Sequence, residues 1–292
     1  MDKATIAIAQ IDPRLGNVEA NIALHEQRAA AARAAGADLV VFPELSLTGY
    51  LLKDMVPNVA LRLDAPEIRR LAELSCGTAL LAGFVEETPE FRFHNSAAYF
   101  EDGALLHVHR KVYLPTYGLF DEGRYFARGD RIRAFDTRLG RTAVLVCEDL
   151  WHPSTVYIAT LDGALSVLCP SASPIRGISD DAGRDDNARF WEDLNRMHAR
   201  TFAVSLVHAN RVGFEDGIGF WGGSEIVDAA GASCARAPYL EEALVVGEVS
   251  QQVARRQRIV APMLRDEDVD LTINELSRLR GRVPERDGSE SA

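Results

Sequence analysis

The chain has 292 residues, 47% of them hydrophobic, enough to bury a sizeable core in one large or two small domains. Its 43 acidic against 32 basic residues give a formal charge of −11, which opposes nucleic acid or an anionic membrane as a partner and favours a small uncharged substrate. The opening MDKATIAIAQI has no apolar stretch of signal-peptide length, and no later run approaches the ~20 residues of a bilayer span, so a cytoplasmic protein is expected.

In chain order, the apolar run Ala4 to Ile11 and the turn Asp12 to Asn17 precede an alanine-rich helical segment, Val18 to Ala35, stopped by Gly36. Asp38 to Phe42 (DLVVF) is short and continuously apolar after its first residue, the pattern of a strand covered on both faces, and it runs into Pro43 and Glu44. Ala65 to Ser75 reads as a helix, and Ala79 to Glu86, Ser96 to Glu101 and Leu105 to Arg110 read as strands. Asp102-Gly103 turns the last two into a hairpin.

Thr142 to Cys147 (TAVLVC) is another buried-type strand, followed by a helix at Thr155 to Leu161 and a strand at Leu165 to Cys169 that meets Pro170. A helix at Asp186 to Arg200 comes next. Strands at Ala203 to Ala209, Ser224 to Asp228, Cys234 to Ala237 and Ala243 to Val249 follow. Helical and strand patterns interleave without a linker or repeat, which predicts one α/β domain over residues 1–265. In the remaining 266–292, a helical stretch lies within the charged Arg265 to Arg282, and Val283 to Ala292 is polar enough for disorder.

The four cysteines, Cys76, Cys147, Cys169 and Cys234, are too scattered for a disulfide framework or a CxxC zinc site, so free thiols are expected. Cys147 is the one at a strand-to-loop turn, where a thiol is exposed and a backbone N–H is aimed at a substrate oxygen; its bland reading is a small buried hydrophobe. A free thiol with its ordinary pKa of about 8.5 is mostly protonated at neutral pH, so a catalytic one needs a base and a cation nearby. Glu44 is a candidate base, abruptly following Leu39 to Phe42, with an ordinary surface glutamate as the alternative. Lys111 is a candidate cation at the end of the hairpin strand, with a solvated lysine as the alternative.

Three segments, VVFPELSLTGY, HRKVYLPTYGLFDEGRYF and VLVCEDLWHP, resemble in their proper order the glutamate, lysine and cysteine motifs of the nitrilase superfamily of carbon–nitrogen hydrolases. With IAIAQIDPRLGNVEANI and NRVGFEDGIGFWGGSEIVDAAG, the likeness covers about residues 4 to 250. CEDLW and LPTYGLFDEGRYF look closest to the glutaminase domain of glutamine-dependent NAD synthetase. Since the sequence shows no following ATP-using domain and no phosphate-binding glycine motif, the expectation is an amidase and not NAD synthesis by this chain alone.

The resemblance implies a four-layer α-β-β-α sandwich, no metal or organic cofactor, and a homodimer or higher homo-oligomer. It implies Glu44 as general base, Lys111 as oxyanion-stabilising cation, Cys147 as nucleophile and Glu122 as an auxiliary glutamate that positions substrate and lysine. Tyr117, Glu148, Ser171 and Ser173 occupy segments resembling those that hold substrate, with ordinary loop roles as the alternative. The implied activity is amide hydrolysis through a thioester; a nitrilase or carbamoyl-hydrolase, or an ammonia-supplying partner of a separate synthetase, are the rival readings. Trp151, Phe220 and Trp221 are candidates for pocket walls or core. His107 and His109 share a strand face without metal-site companions, and the glycines of GFEDGIGFWGG read as a shaped loop near the pocket.

Overall fold

Along Lys3–Gln10, successive side chains point to opposite faces, and both faces are buried: Ile6 and Ile8 enter one core, Ala7 and Ala9 another. This explains why the strands read as continuous apolar runs without alternation. The computed structural model describes residues 2–176 and 186–281. Its first half consists of β1 (Lys3–Gln10), α1 (Val18–Ala34), β2 (Leu39–Val41), α2 (Val56–Val59), α3 (Pro66–Leu74), β3 (Ala79–Glu87), β4 (Phe93–Glu101), β5 (Ala104–Arg110) and α4 (Glu122–Tyr125). The middle contains β6 (Ala134–Thr137), β7 (Gly140–Val144), α5 (Pro153–Leu161), β8 (Ser166–Ser171), α6 (Asp186–Phe202) and β9 (Ser205–Asn210). Then come β10 (Val212–Glu215), β11 (Ile218–Trp221), β12 (Glu225–Val227), β13 (Ser233–Arg236), β14 (Ala243–Ser250), α7 (Gln251–Val260) and α8 (Val269–Arg280).

Two six-stranded sheets form, ordered β14-β1-β2-β3-β4-β5 and β13-β12-β9-β8-β7-β6, with β10-β11 a separate hairpin. Ile6, Ile8, Leu39, Val41 and Leu81 of the first sheet share one core with Ala143, Val167, Leu206 and Ile226 of the second. The outer face of the first sheet, with Val40, Phe42 and Leu80, is covered by Ile22 and Ala29 of α1 and Ile68 and Leu71 of α3. Val156 of α5 and Trp191 and Leu194 of α6 cover the second. The layers are therefore α-β-β-α, as expected.

Several strand limits differ from the sequence reading, each for a local reason. β4 begins at Phe93 instead of Ser96, because His94 and Asn95 are polar yet buried. β8 continues past Pro170 to Ser171: Ser171 O accepts from Arg211 N on the β9 side, so the position of the missing Pro170 N–H faces β7. There the pairing has already ended at Val144↔Leu168, and no ladder bond is lost. Cys147 does not close a strand; β7 stops at Val144, and Cys147 opens a 3₁₀ turn, Cys147–Trp151. The expected helical stretch near the C-terminus is α8, whereas Val283 to Ala292 lies outside the described residues. No helix among the described residues is long and apolar enough to cross a membrane.

Candidate active site

Glu44 follows β2 by three residues, in a turn where Leu45 adopts φ +49°. This turn is pressed against Gly83 of β3: a Cβ there would stand 2.4 Å from Leu45 N and 2.8 Å from Pro43 O. Leu47 N donates to Gly83 O at 3.0 Å and locks the contact. The Glu44 carboxylate is 1% exposed. Its Oε1 accepts from Lys111 Nζ at 2.7 Å and Asn95 Nδ2 at 2.8 Å, and its Oε2 from Ala172 N at 2.8 Å. A carboxylate offers about four acceptor positions, so one on Oε2 remains.

Lys111 is the residue after β5, and its backbone N donates to Asn95 O at 2.9 Å, continuing the β4 pairing by one residue. The same Asn95 thus fixes the lysine through its main chain and the glutamate through its side chain. Lys111 Nζ is fully buried between Glu44 Oε1 and Glu122 Oε1, each at 2.7 Å. Burial alone would pull the ammonium down, but the carboxylates of Glu122 and Glu44 hold it well above the usual lysine range.

Glu122 opens α4 and is buried, and its Oε1 also receives the Tyr50 hydroxyl at 2.5 Å. Its Oε2 is buried without a partner. Desolvation raises this carboxyl to about 7 against the opposing pull of Lys111.

Cys147 is 8% exposed and has φ +47°, a left-handed conformation that is strained for a residue with a Cβ and is often found where function fixes a side chain. Burial, then the nearby negative charge of Glu44, push its thiol well above the ordinary range, while Lys111 pulls it down. The resting group is therefore a thiol beside a carboxylate and an ammonium. Asp149, two residues on, is fully buried and accepts four bonds: from Val146 N, His109 Nε2, Val112 N and Tyr113 N. It fastens the thiol-bearing turn to the segment that follows Lys111.

The other sequence candidates fall into two groups. Tyr117 and Glu148 meet at a cleft also lined by Tyr113, Pro115 and His152, the Tyr117 hydroxyl lying 3.0 and 2.9 Å from the two Glu148 oxygens. The Arg176 guanidinium lies 5.4 Å over the Tyr117 ring. Ser171 is fully buried at the end of β8, its Oγ 3.5 Å from Cys169 Sγ, and Ser173 Oγ accepts from Asn187 Nδ2 and Trp191 Nε1, both at 2.9 Å. Trp221 is buried in the inter-sheet core, Phe220 packs against Tyr50, and Trp151 lies tilted against Phe190 and edge-on to Trp191. Asn95, Asp149, Tyr50 and the Ala172 N–H were not singled out from the sequence. Asp149 within CEDLW and Tyr50 at the end of VVFPELSLTGY carried a local signal; Asn95 and the Ala172 N–H are joined to the site only by the fold.

The geometry is matched by resemblance to known proteins. The family described as carbon-nitrogen hydrolase matches residues 5–259. The chain belongs to the carbon–nitrogen hydrolase family. This hydrolase is 33% identical over 261 residues to the glutamine-dependent NAD(+) synthetase of Acinetobacter baylyi, covering 89% of the chain and 46% of that protein. It therefore spans about half the length of the curated relatives it matches. Among solved structures, it resembles a carbon-nitrogen hydrolase from Helicobacter pylori G27, with a TM-score of 0.82, 26% identity and coverage of 94% of this chain and 98% of that one. It also resembles a mutant of the amidase from Nesterenkonia sp. AN1 in which acrylamide has undergone Michael addition at the active-site cysteine. That match has a TM-score of 0.77 at 25% identity and covers 93% of this chain and 99% of that one. The hydrolase is thus an enzyme of carbon–nitrogen bonds with a cysteine nucleophile, built as the nitrilase-type sandwich.

Proposed function

We propose that this hydrolase releases ammonia from a small primary amide, glutamine-like or an ω-amide, with Cys147 as the nucleophile. The observation that carries this reading is the buried Glu44–Lys111–Glu122 cluster acting electrostatically on a strained, protonated thiol. The unfilled acceptor position on Glu44 Oε2 takes the thiol proton as Sγ attacks the carbonyl carbon. The oxyanion is met by the Lys111 ammonium and by the backbone N–H of Glu148 in the first turn of the 3₁₀ segment, where N–H groups lack helical partners. Glu44 then passes its proton to the amide nitrogen; the C–N bond breaks, ammonia departs and an acyl thioester remains. Water deprotonated by Glu44 attacks that thioester, giving the carboxylic acid and returning the proton to sulfur.

Glu148 with Tyr117 at the cleft suits a substrate bearing an ammonium group, which favours an amino-acid amide over a plain aliphatic one. The 33% identity to a glutamine-dependent NAD(+) synthetase supports glutamine as that amide and a role in supplying ammonia to a synthetase as the second reading. A cytoplasmic homodimer completes the proposal. Exposed Leu271, Ile273 and Leu276 on α8 support association through the C-terminal helices.

The test is ammonia release from glutamine, asparagine, propionamide and butyramide, with mass spectrometry of the peptide containing Cys147. A thioester adduct there, and loss of turnover by about 10⁴-fold or more in Cys147→Ala, are expected. Turnover persisting in that variant overturns the reading.

A further inference from the structure

The motif NRVGFEDGIGFWGG forms the β10-β11 hairpin, and nothing in the proposed chemistry requires it. At its base lies a buried charge pair. Arg211 is fully buried and Glu215 is 4% exposed. Arg211 Nη1 donates to Glu215 Oε1, Nη2 donates to Asp12 Oδ1 at 2.8 Å, and the guanidinium sits 4.2 Å over the Phe220 ring. Taking two such charges out of water is costly, and they repay it only if their geometry is complete.

The second oxygen of Glu215 reaches across to the first half of the chain. Glu215 Oε2 accepts from both Tyr50 N and Leu51 N at 2.9 Å. Two consecutive peptide N–H groups on one carboxylate oxygen fix the plane and direction of the Tyr50 backbone. The Tyr50 ring is held in turn by edge contacts with Phe220 at 6.2 Å and Phe120 at 6.3 Å. The hairpin therefore holds Tyr50 by its main chain through Glu215 and by its ring through Phe220. The backbone is crowded here as well: a Cβ on Gly49 would stand 2.8 Å from Glu215 Oε1.

What Tyr50 does with that fixed position is donate to Glu122 Oε1, which already accepts from Lys111. With Oε1 doubly engaged, Oε2 is left as the buried acceptor without a partner. We propose that Arg211 and Glu215 are positioning residues that act through Tyr50, keeping Glu122 Oε1 occupied so that Oε2 is free to accept the N–H of the substrate amide. The inference rests on the proposed role of the Glu44, Lys111 and Cys147 group, and it explains why an element of the second half of the chain is built around a residue of the first.

The experiment is a double-mutant cycle of Glu215→Gln and Tyr50→Phe, measured as kcat and KM for whichever of glutamine, asparagine, propionamide or butyramide is turned over fastest. Tyr50→Phe removes only the hydroxyl and should lower kcat by about tenfold to a hundredfold, the scale of one lost hydrogen bond to a reacting group. Glu215→Gln should lower kcat similarly with KM within about threefold, and the double variant should match Tyr50→Phe alone, because both changes remove the same bond. A general loosening of the fold would make the two losses multiply. Should Glu215→Gln fail to fold with Arg211 unpaired, Glu215→Asp, which keeps the charge but withdraws it from the Tyr50 and Leu51 N–H groups, takes its place in the cycle. Multiplying losses, or a Glu215 variant within threefold of wild-type kcat, overturns the inference. Failure of the underlying reading is separate, because it would appear as turnover surviving in Cys147→Ala.

Discussion

His109 Nε2 and Asp149 Oδ2 meet at 2.8 Å in the fully buried space between the strand leading to Lys111 and the turn leading away from Cys147. Because Asp149 also accepts from Val146, Val112 and Tyr113 N–H groups, it couples the backbone of the cation to that of the thiol. Asp149→Ala would orphan three peptide N–H groups and one imidazole, each costing about 1–3 kcal/mol when buried. A loss of about 4 kcal/mol or more in urea unfolding is expected, together with loss of turnover. Asp149→Asn should recover part of the stability and little of the rate, since its one amide oxygen serves at most one of the two donor pairs and its NH₂ accepts from none.

Gly83 is the contact against which the Glu44 turn is built. In Gly83→Ala the new methyl meets Leu45 N and Pro43 O, main-chain atoms that cannot rotate aside. The expected result is a fall in kcat of about tenfold or more with a destabilisation of roughly 1–3 kcal/mol, read by steady-state kinetics and urea unfolding of the same preparation. A wild-type kcat in this variant would show that the turn's position is not critical.

Glu122 supplies a pH signature. Its carboxyl is raised to about 7 by burial. Ionised Glu122 holds Lys111 and offers Oε2, so kcat/KM should fall as pH drops below about 7, and Glu122→Gln should lack that limb while being slower throughout. The stability sign is opposite. A raised carboxyl keeps its proton in the folded chain after the unfolded chain has lost its own, so this group's contribution is full below about 4.5 and declines as pH rises towards 7. Urea midpoints of wild type and Glu122→Gln across pH 4 to 8 check both the window and its direction.

The parts of this molecule legible in its sequence are those encoded by neighbours along the chain. The apolar run before Glu44, the hairpin ending at Lys111 and the helix α1 all appear within a few residues of where their patterns place them. Cys147, the proposed nucleophile, stands where a buried run turns polar, although the strand gives out three residues earlier, at Val144. What stayed hidden are contacts between distant segments. Asn95 sits in a stretch whose polarity looks like the end of a strand, and only the β3-β4 pairing brings it to Glu44. Tyr50 and Glu215 are separated by 165 positions and carry no local sign of their meeting. Ser173 has a contact of this kind as well: its Oγ accepts from Asn187 and Trp191 of α6, which its place in the sequence does not announce.

The unequal count of charges around Lys111 bears on how a catalytic cycle finishes. One ammonium faces two carboxyl groups, so once Glu122 is ionised the enclosure is anionic even with the thiol neutral. A neutral amide entering it meets no repulsion, whereas the acid formed from the thioester becomes an anion confined with two others. Discharge of the spent acyl group is thereby favoured by the same side chains that create it, and accumulated product should be a poor inhibitor.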